Sequence, residues 1–259
     1  MAKPSATLTV LRTEWLTPHM VRVYLGDPGF DSFIPNAFTD AYAKLEFGTS
    51  EEPTLRTYTI RSMNPADREI AIDFVVHGDA GVAGPWAAAA TAGDTLRLRG
   101  PGGAFAPDVA ADWYLFAGDE TAIPAISASV EKLDANAKGH VFLEVAGPDD
   151  EIGFGSPAGV TVTWIHRGDT ADRIGEEASG DTAPLIGAVK NANWLPGNPQ
   201  VFIHGEAQAV MHNLRSYVRR ERGVPASSAS ISGYWRRGRT EEGFRVWKSE
   251  LAASEGAAR

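Results

Sequence analysis

The chain has 259 residues, 43% of them hydrophobic, which is enough for one large domain or two of medium size. It contains no cysteine, so disulfides, thiolate metal sites, cysteine nucleophiles and cysteine-held iron–sulfur clusters are excluded. A net charge of −9 argues against nucleic-acid binding, no uncharged apolar run reaches the ~18 residues of a membrane span, and the N-terminus lacks the apolar stretch of a signal peptide, so a cytoplasmic protein is expected.

Residues 1–107 read as β-rich. The stretches MVRVYL (20–25), AKLEF (43–47), RTYTI (56–60), EIAIDFVVH (69–77) and TLRLRG (95–100) alternate or carry β-branched runs. Gly and Pro clusters punctuate them, and one short helix is expected near PWAAAATAG. Five or six short strands of this kind suggest a small antiparallel barrel, expected to be six-stranded.

From about Asp112 the pattern changes to alternating buried strands and helices. DWYLFAG, HVFLEVAG, GVTVTWIH, PQVFIHG and SISGYW are expected strands, separated by helices over ETAIPAISASVEKLDA, APLIGAVKNANW and EAQAVMHNLRSYVRRER. In the last helix Ala207, Val210, Met211, Leu214, Tyr217 and Val218 make one apolar stripe. Gly223 and Pro225 end it. Such alternation predicts a doubly wound parallel sheet. The expected domains are 1–108 and 109–259, and a ligand crevice is expected between them.

Four stretches have residue types suited to a ligand. RTYTIR (56–61) places Arg, an aromatic and a small hydroxyl at alternating positions. It is either a half-buried edge strand or a seat for a flat, phosphorylated ligand. DFVVHGDAGVAGPWA (73–87) is either a glycine-rich hairpin loop or a helix start that docks a pyrophosphate. AGDETAIPAI (117–126) is a strand-to-helix turn without the dinucleotide fingerprint, and its Asp119 and Glu120 would repel phosphate. SGYWRRGRTEEG (232–243) joins Tyr234 and Trp235 to Arg236, Arg237 and Arg239, which suits either a planar anion or packing against the sheet. Residues 215–248 hold nine basic residues against three acidic ones, a basic end on an acidic chain. The six histidines lack metal-site spacing and read as structural.

These stretches, together with DAYAKLEF (40–47), occur in an order and spacing that resembles the siderophore-interacting protein family over residues 7–250. That family comprises flavin-dependent ferric-siderophore reductases of the ferredoxin-reductase-like superfamily. The resemblance implies an FAD-binding barrel followed by an NAD(P)H-binding α/β domain. It implies a cytoplasmic enzyme that takes hydride from NADPH (or NADH) and passes electrons singly to a ferric siderophore, with no catalytic side chain and no protein-bound metal. A general flavin or ferredoxin-linked reductase, with a ferredoxin as electron donor, and a non-catalytic flavin or siderophore carrier are the alternatives; a monomer is expected.

The resemblance also assigns residues. Arg56 would pair with the FAD pyrophosphate, Tyr58 would stack on the isoalloxazine, and Thr59 would meet the flavin near N5. The stretch from Asp73 to Ala87 is similar to the family's phosphate loop, with His77, Gly78, Gly81, Ala83, Trp86 and Ala87 matching, while Val82 and Gly84 replace the usual Pro and Ser. Asp119 and Thr121 are further cofactor positions. Gly118, Gly205 and Glu206 fall on the NAD(P)H side, and Arg167 would meet a 2′-phosphate, which favours NADPH. Lys44, Trp235, Arg236 and Arg239 are the implied chelate contacts. Gly102 stands where an Arg is common, so a less highly charged ferric chelate is expected as substrate.

Overall fold

The computed structural model describes residues 5–33, 36–49, 51–77, 81–239, 243, 244, 246 and 247. Six antiparallel strands close into a barrel: β1 (Ser5–Thr17), β2 (Met20–Pro28), β3 (Tyr42–Gly48), β4 (Pro53–Asn64), β5 (Glu69–Val75) and β6 (Thr95–Gly102), in the order β1-β2-β5-β4-β3-β6. Closure removes the exposed edges that short strands would otherwise present. The interior is filled by alternate residues of each strand, among them Leu8, Val21, Val23, Leu45, Ile70, Ile72, Phe74 and Leu98, all with at most 1% exposure. Burying one such side chain contributes roughly 1.5–3 kcal/mol. The helix α1 (Ala83–Ala89) plugs the barrel with Ala83 and Ala87.

The second unit is a parallel sheet in the order β11-β10-β7-β8-β9, with β7 (Trp113–Asp119), β8 (Lys138–Val145), β9 (Gly159–His166), β10 (Pro199–Glu206) and β11 (Ala229–Trp235). Both faces are covered, so β7 reads as one apolar run. Trp113, Leu115 and Ala117 face a core shared with α3 (Pro184–Lys190) and the helices α4 (Gln208–Leu214) and α5 (Tyr217–Glu221). Tyr114 and Phe116 face the opposite core, with α2 (Ile123–Val130). The apolar stripe expected in the last long helix is buried throughout. Its winding is wider than an α-helix: the amide of Arg222 donates to the carbonyl of Tyr217, five residues back, at 3.0 Å. No helix among the described residues is long and apolar enough to cross a membrane.

The two units dock directly. Helix α2 packs on β4. Arg61 of β4 pairs with Glu131 at 2.6 Å, Thr39 and Ser129 share a 2.7 Å hydrogen bond, and His19 Nδ1 lies 2.9 Å from Asp150. Strand order reverses between β7 and β10. The crevice beyond their carboxyl ends, where such sheets bind ligands, therefore opens toward β4 of the barrel.

Candidate functional site

The first part of the site lies on the barrel. Strand β4 brings Arg56 and Tyr58 to a cavity of about 200 Å³ that is also lined by Val75, His77, Gly81, Val82, Ala83 and Gly84. The RTYTIR strand and the glycine-rich stretch, far apart in sequence, thus share one wall. Tyr58 is held flat by an aromatic row: its ring centroid is 4.5 Å from Phe74, which is 5.7 Å from Trp86, which is 5.6 Å from Phe47. Trp86 therefore supports the cavity from behind. Gly81 has φ +82°, and a Cβ there would meet no atom within 4 Å, so its backbone lies open to the cavity in a conformation that favours glycine. At Gly84 a Cβ would approach the carbonyl oxygen of Val75 at 3.2 Å, a tight fit where the family carries Ser. A guanidinium, an aromatic face and bare backbone around one cavity form a donor set that suits a flavin with a pyrophosphate. Gly78, also expected in this loop, lies outside the described residues.

Asp73 is placed differently from its expected role. Its buried carboxylate accepts from Arg22 Nε and Nη2 at 2.6 and 2.8 Å, across the β2–β5 pairing, and it does not line the cavity. Thr59, one residue beyond Tyr58, faces the opposite side of the strand. It is buried, and the Tyr234 side chain of β11 hydrogen-bonds to it, which ties the two units together beside the crevice. Burial holds the Tyr234 phenol well above its ordinary pKa.

The second part lies at the carboxyl ends of the sheet. Asp119, ending β7, is a hub. Its Oδ1 accepts from the Thr121 amide and hydroxyl at 3.0 and 2.5 Å, and its Oδ2 accepts from the Glu206 amide and Trp235 Nε1, both at 2.8 Å. Asp119 and Thr121 thus bond to each other, and Asp119 joins the ends of β7, β10 and β11. Glu206 caps α4, accepting from the amides of Gln208 and Ala209 at 2.7 and 3.0 Å. The two glycines on this side are dictated by packing. A Cβ at Gly118 would stand 2.5 Å from Ala122 Cβ, and Gly205 has φ +143° with Asp119 Oδ2 2.7 Å from a Cβ position.

Arg167 is not presented to a 2′-phosphate. Its side chain is 3% exposed and makes a two-pronged ion pair with Glu120, with Glu144 3.7 Å away. Burial raises the pKa of Glu120 despite this pairing, and pushes Glu144 up to about 7. In the sequence Glu120 reads as a charge that repels phosphate and must point elsewhere or contact hydroxyls, and Glu144 does not stand out; its visible signal is a lone acid within the apolar strand FLEV. The space remaining between Asp119, Glu144, Arg167, Glu206 and Trp235 is only about 30 Å³. Arg237 closes it from outside by donating to the carbonyls of Ala171, at 2.5 Å, and Ile174.

The expected chelate contacts separate. Lys44 is exposed on the outer face of β3, opposite Thr57 of β4 and Arg99 of β6. Trp235 lines the crevice through its bond to Asp119. Arg236 points away: its guanidinium lies 4.5 Å from the Trp247 ring centroid and donates to Gln208 at 3.0 Å. Arg239 is exposed. Arg245 and Lys248 of the basic end, with Glu241 and Glu242, lie outside the described residues.

Comparison with known proteins places this arrangement. Residues 46–105 match the siderophore-interacting FAD-binding domain and residues 111–238 match the siderophore-interacting protein family. An uncharacterised protein of Mycobacterium tuberculosis is 55% identical, covering 98% of each chain. The ferric vibriobactin reductase ViuB of Vibrio cholerae is 33% identical over 74% of this chain and 68% of its own. Among solved structures, a siderophore utilization protein from T. fusca matches with a TM-score of 0.81 and 33% identity, over 93% of this chain and 95% of that one. The siderophore-interacting protein SipS of Aeromonas hydrophila matches with a TM-score of 0.83 and 29% identity, over 97% and 99%. The fold is that of the ferredoxin-reductase-like proteins, with an FAD-binding barrel ahead of a parallel sheet. The chain belongs to the siderophore-interacting protein family.

Proposed function

We propose that the protein is an FAD-dependent reductase that uses NAD(P)H to reduce ferric siderophores in the cytoplasm, acting as a monomer. The observation that carries this reading is the cavity in which Arg56 and Tyr58 meet His77 and the backbone of residues 81–84. Bound FAD supplies the exchange between a two-electron hydride donor and one-electron iron acceptors. Overall, one NAD(P)H and two ferric chelates give NAD(P)⁺, a proton and two ferrous ions, and Fe(II) leaves because hard oxygen ligands hold it weakly.

The chain's own residues bind and orient. Arg56 supplies a forked positive charge to the pyrophosphate, and the open backbone at Gly81 admits close approach. Tyr58, fixed by Phe74, offers one flat face. Thr59, held by Tyr234, presents its strand edge at the crevice between the units, where donor and chelate would meet the reactive ring. Asp119 fixes Trp235 and the ends of three strands as the floor of the donor side. Lys44 supplies positive charge on the barrel side for the chelate. Because Arg167 is engaged by Glu120, no 2′-phosphate contact is assigned to it, and both nicotinamide donors remain candidates.

The test is spectroscopic. The protein should purify yellow, release FAD rather than FMN on denaturation, and bleach under anaerobic NAD(P)H. A colourless protein that binds ferric chelate would instead be a carrier, and FMN would remove the pyrophosphate role of Arg56.

A further inference from the structure

Beside Thr59 the barrel carries an aromatic pair that does not line the Arg56–Tyr58 cavity. The rings of Tyr42 and Phe38 lie directly over two glycines that follow one another at the end of β6. A Cβ at Gly102 would stand 2.3 Å from Tyr42 Cζ and 2.6 Å from its hydroxyl oxygen, and a Cβ at Gly103 would stand 2.6 Å from Phe38 Cβ. The rings therefore occupy the volume that side chains at 102 and 103 would fill.

The segment that carries Phe38, residues 36–40, is also fastened to the end of β6. Asn36 Nδ2 donates to the Gly102 carbonyl and Asn36 Oδ1 accepts from the Phe38 amide, both at 3.0 Å. The Thr39 amide donates to the Phe105 carbonyl at 2.9 Å, and Asp40 Oδ1 accepts from the amides of Ala104 and Phe105, both at 2.8 Å. Yet the rings stay open to solvent, Tyr42 at 37% and Phe38 at 41% exposure. Five hydrogen bonds thus hold the Phe38 segment to the end of β6 and keep the two rings side by side at the surface.

Their place and their charge surroundings indicate the use. Tyr42 stands opposite Thr59 in the β3–β4 pairing, and the Ile60 amide donates to the Ala41 carbonyl at 2.7 Å, so the rings border the strand that presents Thr59. On the same flank Glu46 takes both nearby arginines, Arg99 in a close ion pair and Arg97 at 3.4 Å. Lys44, two residues from Tyr42, is left as the nearest exposed cation of β3.

We infer that Tyr42 and Phe38, seated on Gly102 and Gly103, form an uncharged aromatic wall of the iron-chelate site and select ferric chelates of little net charge with an apolar flank. This rests on the ferric-chelate reading above and adds the residues that set its specificity. An arginine at position 102 would have to displace the Tyr42 ring, so cationic and aromatic walls exclude one another.

The test is equilibrium binding of a neutral ferric tris-hydroxamate and a trianionic ferric tris-catecholate to the flavin-loaded protein, followed by calorimetry. The wild type is expected to favour the neutral chelate. Tyr42→Ala should weaken that chelate about five- to tenfold, as loss of one ring's apolar contact implies, and leave the catecholate unchanged. Tyr42→Phe should behave as wild type, and Phe38→Ala should repeat the selective loss at the second ring. The double variant Tyr42→Ala with Gly102→Arg should reverse the preference, with unchanged FAD content showing that the barrel is intact. Equal losses for both chelates, or none, in Tyr42→Ala and Phe38→Ala overturn the wall while leaving the ferric-chelate reading in place. Failure of the flavin-loaded wild type to bind either chelate overturns that reading and the wall together.

Discussion

The barrel-side cavity and the sheet-side crevice are both lined by charged residues from signature stretches, but they are built in opposite ways. On the barrel, Arg56, Tyr58 and the backbone at Gly81 surround about 200 Å³ of space. At the sheet ends, Asp119, Glu120, Glu144, Arg167 and Glu206 turn on one another and on nearby amides, leaving about 30 Å³. A charge that lines open space can meet a ligand, whereas a charge buried among opposite charges serves the fold. The same residue type therefore means different things in the two places, as Arg56 and Arg167 show.

The sharpest way to break this comparison is Arg167→Ala. If the arginine is structural, its removal leaves Glu120 and Glu144 buried without a cation and should cost about 3–5 kcal/mol in denaturant unfolding. KM for NADPH and NADH should then move together. A stable variant that loses only NADPH would place Arg167 on a 2′-phosphate after all.

A second consequence concerns pH. Burial raises Glu144 from 4.5 to about 7, so the folded state holds a proton that the unfolded chain releases. Stability from this group is present at about pH 4.5 and lost as pH rises toward 7, roughly 3 kcal/mol in all, and flat above. Glu120, also raised by burial, acts in the same direction. Glu144→Gln should flatten the slope of melting temperature between about pH 5 and 7.5; an unchanged slope would assign it elsewhere.

On the barrel side the pattern inverts. Arg56→Ala should cost less in unfolding than Arg167→Ala but weaken FAD retention by about 10- to 100-fold, the worth of a charge-assisted contact. Loss of stability without loss of FAD would make Arg56 structural too. The smallest effect is expected for the exposed Lys44: Lys44→Ala should raise KM for the ferric chelate several-fold while flavin reduction by NAD(P)H proceeds as before.

What is legible in the sequence follows the same division. Strand alternation and the change of pattern near residue 112 disclose both halves of the fold, because period-two burial and apolar helix stripes are local properties. The first strand, SATLTVLRTEWLT, is harder to see. Only its first half alternates cleanly in burial, and residues 11–15 are exposed. Arg56, Tyr58 and the 77–84 stretch can be grouped because their order in the chain resembles a family. The buried partners of Arg167 cannot, since Glu120 lies 47 residues away and the contact exists only once β7 and β9 flank β8. Arg236 is hidden for the same reason: its partner Trp247 follows a turn whose direction no local pattern records. Tyr42 and Phe38 are legible as residues, but not as rings over glycines.

The central claim is that electrons cross from a nicotinamide donor to chelated iron through flavin held by the barrel. The most direct measurement is an anaerobic reaction of the flavin-loaded protein with NAD(P)H and a neutral ferric chelate, with a colorimetric trap for ferrous iron. The account predicts two ferrous ions trapped per NAD(P)H consumed, as the change from hydride to single electrons requires, and none from protein stripped of FAD. Chelate that binds while its iron stays ferric, with NAD(P)H unconsumed, would contradict it.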